Sequence, residues 1–390
     1  MQFSFKKINI ESPTPTTQFG HSVQTYLVEE YRDHLYARVC GFKNEDNWII
    51  HVSLDLLCMD LDHRNYLQGE VRKNLNNEYI HLITSTTHTH YANNPTDSVY
   101  QPWLMKQIIE GICSMEYAEY EDVRVSYHHQ HTNAVGKSRI SGYDTMLENL
   151  CLISFYSEDN NFLNIIINNC HPTTLAADSK FFSAEYPGYV LKMLEDNCPG
   201  NYTFIQGAAG DISSRFTRTG QNYEDMVIGA EKLYGEITEM IGNNRNDLVS
   251  FKLEYKEIPV TYDHDFSPID MSKLRSDLSD RERETIEIGQ KVREKLFATK
   301  DDKGNLMKII RNAVIASLDL GAVKIIFFPN EIFSAYMDEL DLDKEMLVSY
   351  SNGYGPYVLP IDFPYVTYEM FADTLSKDCK IKLKEIIKTI

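Results

Sequence analysis

Apolar positions in the first half of the chain fall into short runs separated by amphipathic stretches. Residues 47–57 (DNWIIHVSLDL) predict a buried strand and 62–77 an amphipathic helix. Residues 79–86 (YIHLITST) predict a second strand and 100–118 a helix. Strands follow at 121–129, 149–156 and 162–169, then a helix near 186–196 and a strand at 202–206. The second half predicts a helix at about 221–242, a strand region at 248–260, strands at 312–319 and 322–328, a helix at 331–341 and a closing amphipathic helix at 376–389. Between them, 270–299 is so charged that it predicts a solvated helix or helical pair on the surface. Strands alternating with helices define an α/β class with mixed central sheets flanked by helices. With no repeat and no Pro/Gly/Ser linker to cut the chain, residues 1–390 are expected to form one domain.

Composition narrows the function. Lys plus Arg is 38 and Asp plus Glu is 57, a net charge of −19, which argues against nucleic acid and against docking on anionic membranes. The 43% hydrophobic content is enough for a substantial core. No apolar run reaches the ~18 to 20 residues of a membrane helix, and the N-terminus shows no secretion signal. Seven scattered cysteines without a CxxC pair suggest reduced thiols, hence a cytoplasmic protein with no stable membrane insertion.

Five segments carry candidate chemistry. Thr87-His88-Thr89-His90 follows an apolar strand, and in an extended HxH both imidazoles face one side, so the pair can bind one metal or supply one ligand and one base. His171 also sits just past a strand. Gly207-Ala208-Ala209-Gly210-Asp211-Ile212-Ser213 lets the backbone approach something closely but lacks the P-loop spacing. Glu331, in Pro329-Asn330-Glu331, reads as the start of a helix. Tyr354, Tyr357, Tyr365 and Tyr368 fall in or after a Gly/Pro loop. After His171 only His264 remains, and Tyr91-Ala92 follows His90. Both facts disfavour a binuclear TIM-barrel hydrolase and a metallo-β-lactamase, whereas two histidines plus oxygen ligands suit mononuclear zinc.

In order and spacing these motifs resemble the neutral, non-lysosomal ceramidase family, over about residues 20–370 of its N-terminal catalytic domain and without its C-terminal immunoglobulin-like domain. The resemblance implies one zinc held by His88, His171, Glu331 and Tyr357. It implies His90 as general base, Arg139 and Tyr368 as groups that hold the substrate carbonyl, and Ser213 as a pocket-lining serine. The loop after Thr87-His88-Thr89-His90 and Ser214 after the Gly-Asp-x-Ser turn depart from the family pattern.

The expected function is a zinc-dependent amidohydrolase, ceramidase-like, that cleaves an N-acyl bond of a small molecule. A bound zinc lowers the pKa of its water toward ~7. His90 would move the proton, and Asp55 and Asp211 would fix the ligand histidines' tautomers. An ester or lactone hydrolase on the same scaffold, and a non-catalytic small-molecule binder, are the alternatives.

Overall fold

A computed structural model describes residues 1–21, 27–45, 47–143, 149–158, 160–243, 247–298 and 312–390. Three sheets form its interior. The first runs Ile80–Thr86, Trp48–Leu54, Tyr36–Lys43, Gln2–Asn9 and Ala118–Glu119 in spatial order. The second runs Asn201–Gln206, Asn160–Asn168, Leu150–Ser157, Arg124–Gln130 and Val249–Ser250. The third runs Glu254–Thr261, Asn312–Asp319, Lys324–Phe327 and Glu345–Val348. The mixed α/β class expected from the sequence is the one observed.

Helices cover the outer faces. Helices α1 (Leu61–Leu75) and α2 (Tyr100–Cys113) bury Leu67, Val71, Leu104 and Ile108 against the first sheet. Helices α3 (Glu185–Asn197) and α4 (Tyr223–Asn243) bury Leu191, Leu194, Leu233 and Ile237 against the second. The largest apolar cluster draws Phe42 and Ile83, Ile153 and Ile167, and Ile325 and Phe327 from the three sheets, so their inner faces share one core. Helix α5 (Asp280–Ala298) packs on the short α6 (Tyr368–Ala372), and α7 (Lys377–Thr389) closes the chain.

Each sheet contains one parallel pair: Trp48–Leu54 with Ile80–Thr86, Asn160–Asn168 with Asn201–Gln206, and Lys324–Phe327 with Glu345–Val348. Carboxyl ends of parallel strands are where α/β sheets place ligands. Here the bridges Ser85↔Ser351, Gly207↔Val348 and His171↔Ser213 stitch those ends and the segments just past them together.

Three expectations change. The predicted helix at 331–341 is instead a short strand, Asn330–Ile332, and a 3-10 turn, Ser334–Glu339. The strand forms because the segment pairs in parallel with Gly355–Val358, which places Glu331 opposite Tyr357. The helix expected to reach residue 118 ends at Cys113, and Ala118–Glu119 joins the sheet edge. The charged stretch 270–299 is not all solvated surface: within α5, Ile286 is 6% exposed and packs with Val366 and Phe371. Residue 299 lies outside the described residues. Among the described residues no helix is long and apolar enough to cross a membrane.

Candidate metal centre and its cleft

His88 follows the strand Ile80–Thr86 but is not extended. Its φ is +62°, a left-handed conformation that costs a non-glycine residue about 1–3 kcal/mol and survives only where the surroundings enforce it. They do so here. The facing loop holds Tyr350 and Asn352 at φ +52° and +56°. Asn352 N–H donates to the Thr84 carbonyl at 2.7 Å, Thr86 N–H to the Tyr350 carbonyl at 3.2 Å, and Tyr350 stacks on the His88 ring at 3.8 Å. The alternation argument for HxH therefore does not apply: His88 and His90 share a pocket because the backbone kinks between strand and loop.

The second imidazole, His171, enters from beyond Asn160–Asn168, where the residue's backbone N–H donates to the Ile212 carbonyl at 3.0 Å. The small residues at 207–210 allow this approach. A Cβ on Gly207 would lie 1.7 Å from Asn169 Oδ1, and one on Gly210 would lie 2.8 Å from the Glu331 and Ile332 backbone.

Tautomers follow from the partners. His88 Nδ1 is 2.7 Å from the Leu57 carbonyl and His171 Nδ1 is 3.1 Å from the Ala209 carbonyl. A carbonyl only accepts, so both Nδ1 atoms carry the proton and both Nε2 atoms present lone pairs. Those two Nε2 atoms are 3.0 Å apart. Glu331 Oε2, buried and without a hydrogen-bond partner, lies 3.8 Å from one and 3.6 Å from the other. Burial lowers the His88 pKa to about 3 and that of His171 well below its ordinary value. Burial also raises Glu331, while hydrogen bonds from Tyr354 and Tyr357 oppose that rise. Two imidazole lone pairs and a carboxylate oxygen thus face one another, an arrangement that a cation resolves.

His90 belongs to the same group: His88, His90 and His171 offer ligand atoms all within 4.8 Å of one another. Its ring is 5.0 Å from that of His88, 5.3 Å from His171 and 4.6 Å from His21. This buried group can hold a metal ion.

The oxygen side is layered. Tyr354 OH donates to Glu331 Oε1 at 2.6 Å. Tyr357 joins the group through Glu331 and Arg139, whose Nη2 donates to the Tyr357 oxygen at 3.0 Å and to the Gly210 carbonyl at 2.7 Å. Arg139 Nε pairs with Glu369 at 2.8 Å. Tyr368 lies edge-on to Tyr357 at 6.0 Å, and burial raises its phenol to about 12. Ser213 is buried, bridges to His171, and its hydroxyl accepts from Arg215 N at the start of a 3-10 turn.

Two assignments need correction. Asp55 pairs with Arg38 at 3.1 Å and accepts from Tyr36 N, and Asp211 accepts from Ser334 N and Oγ, both at 2.7 Å. Neither fixes a histidine tautomer, because the Leu57 and Ala209 carbonyls do. Sequence reasoning named Tyr354 only as a loop tyrosine, with no role at Glu331, and missed Tyr350 and His21. Tyr350 directly precedes the Gly/Pro loop that gave the signal; the Leu57 and Ala209 carbonyls had none.

Beyond Arg139 a cleft opens, lined by Arg139, Arg215, Leu278, Ile286, Val366 and Tyr368 among others. Helix α5 forms its roof and the start of α6 its inner wall.

Strand-end loops of three sheets, a buried imidazole group and an adjoining half-apolar cleft define the class: an α/β protein built around a site suited to a metal ion and a small molecule. The particular fold is that of neutral ceramidase. The chain is similar to neutral ceramidase from Pseudomonas aeruginosa, with a TM-score of 0.76 and 14% identity over 99% of this chain and 73% of that one. It is equally similar to a ceramidase complexed with C2, with a TM-score of 0.76 and 13% identity over 99% and 74%. A scan against protein-family models and a search of curated proteins each gave no match.

Proposed function

We propose that this protein is a zinc-dependent amidohydrolase that cleaves N-acyl bonds. The observation that carries the reading is the convergence of His88 Nε2, His171 Nε2 and the unpartnered Glu331 Oε2, three acceptors with no donor among them. Mixed nitrogen and oxygen donors suit zinc. In this reading His88, His171, Glu331 and Tyr357 hold the ion, and a bound zinc supplies Lewis acidity toward water and a carbonyl oxygen.

The chain's own groups supply the rest. His90, held neutral by burial, takes a proton from water and returns it to the departing amine. Arg139 Nη1 and the Tyr368 hydroxyl donate to no described residue, so both are available to a developing oxyanion. Glu369 and the Gly210 carbonyl fix the Arg139 fork, so that its remaining donor is oriented before substrate arrives. The pocket around Ser213 supports His171 through the bridge between them. Donors from positions 88 to 368 contribute, which supports treating residues 1–390 as one catalytic unit.

The test is elemental analysis of the purified protein combined with a screen of N-acyl amines against the matching esters. About one zinc per chain and faster amide than ester turnover are expected. A metal-free protein inert toward every amide overturns the reading, and preference for esters redirects it to the ester alternative.

A further inference from the structure

We infer that the outer cleft recognises an anionic group on the substrate through Arg215, so that the natural substrate is an N-acyl amine bearing a carboxylate or phosphate. This rests on the amide-hydrolase reading and names its substrate class.

The argument is a charge inventory of the cleft. Arg139 is neutralised by Glu369 at 2.8 Å and Arg275 by Asp277 at 2.8 Å. Glu282 keeps its negative charge in the cleft lining; it accepts from Ser279 N at 2.8 Å and Ser279 Oγ at 2.6 Å at the start of α5, and its nearby positive charge is Arg275 rather than Arg215. Arg215 is the exception. Its Nη1 donates to the Arg139 carbonyl at 3.3 Å, and among the described residues no carboxylate lies within ion-pair distance of its guanidinium. Burial, then the nearby positive charge of Arg139, disfavours its charged form; Glu369, which is in contact with Arg139, opposes this from farther away, and Arg281 and Arg218 add to the repulsion. A half-buried guanidinium with no carboxylate in direct contact is costly unless something else supplies the counter-charge.

Two further features of the same cleft constrain the ligand. Thr367 Oγ1 is buried there without a hydrogen-bond partner, a second polar atom available to it. Leu278, Ile286 and Val366 are grouped with Phe371 in an apolar cluster at the same wall. Hydrocarbon, an amide at Arg139 and an anion at Arg215 together describe an acylated amino acid or an acylated amino-alcohol phosphate. A neutral amide would leave Arg215 unpaired.

The experiment uses N-dodecanoylglycine, phospho-N-dodecanoylethanolamine and the neutral N-dodecanoylethanolamine, on the full chain and on Arg215→Gln and Arg215→Lys. At least one anionic substrate should exceed the neutral one in kcat/KM by about tenfold or more, the scale of one charge-assisted hydrogen-bonded contact. Whichever anion is favoured identifies its source. Arg215→Gln should collapse that preference through KM, and Arg215→Lys should retain part of it. Calorimetric titration of N-dodecanoylglycine and of the phosphate into metal-stripped protein gives a readout independent of turnover: the favoured ligand should bind about tenfold more weakly to Arg215→Gln. Preference for the neutral amide, or equal losses on all three substrates in Arg215→Gln, overturns the anion site and leaves the hydrolase standing. Arg215-dependent binding without turnover of any amide does the reverse.

Discussion

The pocket around His88 and His171 and the cleft beneath α5 meet at Arg139 and are made of opposite chemistry. The inner region gathers acceptors: two Nε2 lone pairs 3.0 Å apart and a carboxylate oxygen without a partner. The outer region presents donors, Arg139 Nη1, the Tyr368 hydroxyl and the guanidinium of Arg215, among which Glu369 is engaged by Arg139 and Glu282 by Ser279. The inner one is also rigid by construction, pinned by strand ends and by three left-handed residues that brace one another. The outer one is walled by helices and loops. In the proposed reading, a cation held deep in the fold and an anion held in the cleft outside it would give a substrate one favoured orientation, with its carbonyl at the junction. The contrast also states what each end should do when altered: inner changes remove metal, and outer changes leave metal and alter turnover or selectivity.

The largest effect belongs to the inner region. Glu331→Gln keeps the shape and removes the charge, and should take zinc from about one per chain to near none and turnover to background. Chelation of the wild type should also lower its stability, because an ion at a thousand times its Kd contributes about 4 kcal/mol. Elemental analysis and thermal melts with and without chelator check both. Full zinc in Glu331→Gln breaks the contrast at its base.

Next in size is His90, which the geometry places within ligand distance of the pair. His90→Ala should retain zinc and lose about 10²–10⁴ in kcat, the usual contribution of a general base. Parallel loss of zinc instead makes His90 a ligand and moves it wholly into the inner set.

Tyr368→Phe probes the outer side of the junction. It keeps the edge contact with Tyr357 and removes one hydroxyl. The expected loss is about 10²-fold in kcat, the lower end for an oxyanion donor, with zinc content unchanged. Unaltered kcat leaves Arg139 as the sole donor there.

The same contrast explains what could be read from sequence. Side-chain chemistry was legible: Thr87-His88-Thr89-His90, His171, Glu331 and the late tyrosines announce themselves by type and order. Backbone contributions were not, because every residue has a carbonyl and nothing marks those of Leu57 and Ala209 as acceptors. Glu331 was found with the wrong secondary structure, since a strand of three residues is made by its partner Gly355–Val358 rather than by its own composition. The outer cleft was missed for a different reason. Few apolar residues interrupt the charge of α5, and one of its close contacts is through Gly289, where a Cβ would lie 3.1 Å from Phe371. Hydrophobic patterning does not register a glycine. Nor does a count of 57 acidic residues reveal that, among the described residues, no carboxylate is in ion-pair contact with Arg215.

Acid should disturb the inner region before the outer one, and His51 gives the cleanest measure. It lies below the metal group, its Nε2 3.0 Å from Ser85 Oγ, which in turn bonds Ser351 in the bracing loop. Burial lowers its pKa from 6.5 to about 3. Above pH 6.5 it is neutral whether folded or unfolded, and its contribution to stability is fully present. As pH falls below 6.5 the unfolded chain takes up the proton and the folded one does not. Stability is therefore lost at about 1.4 kcal/mol per pH unit down to about pH 3. His51→Gln keeps an amide near the Ser85 hydroxyl and removes the proton uptake. The stability difference between pH 6.5 and pH 5 in urea melts should thus be about 2 kcal/mol smaller than in the wild type. An identical pH dependence in the two proteins shows that His51 is not held neutral, and that the floor beneath His88 admits charge as readily as the cleft does.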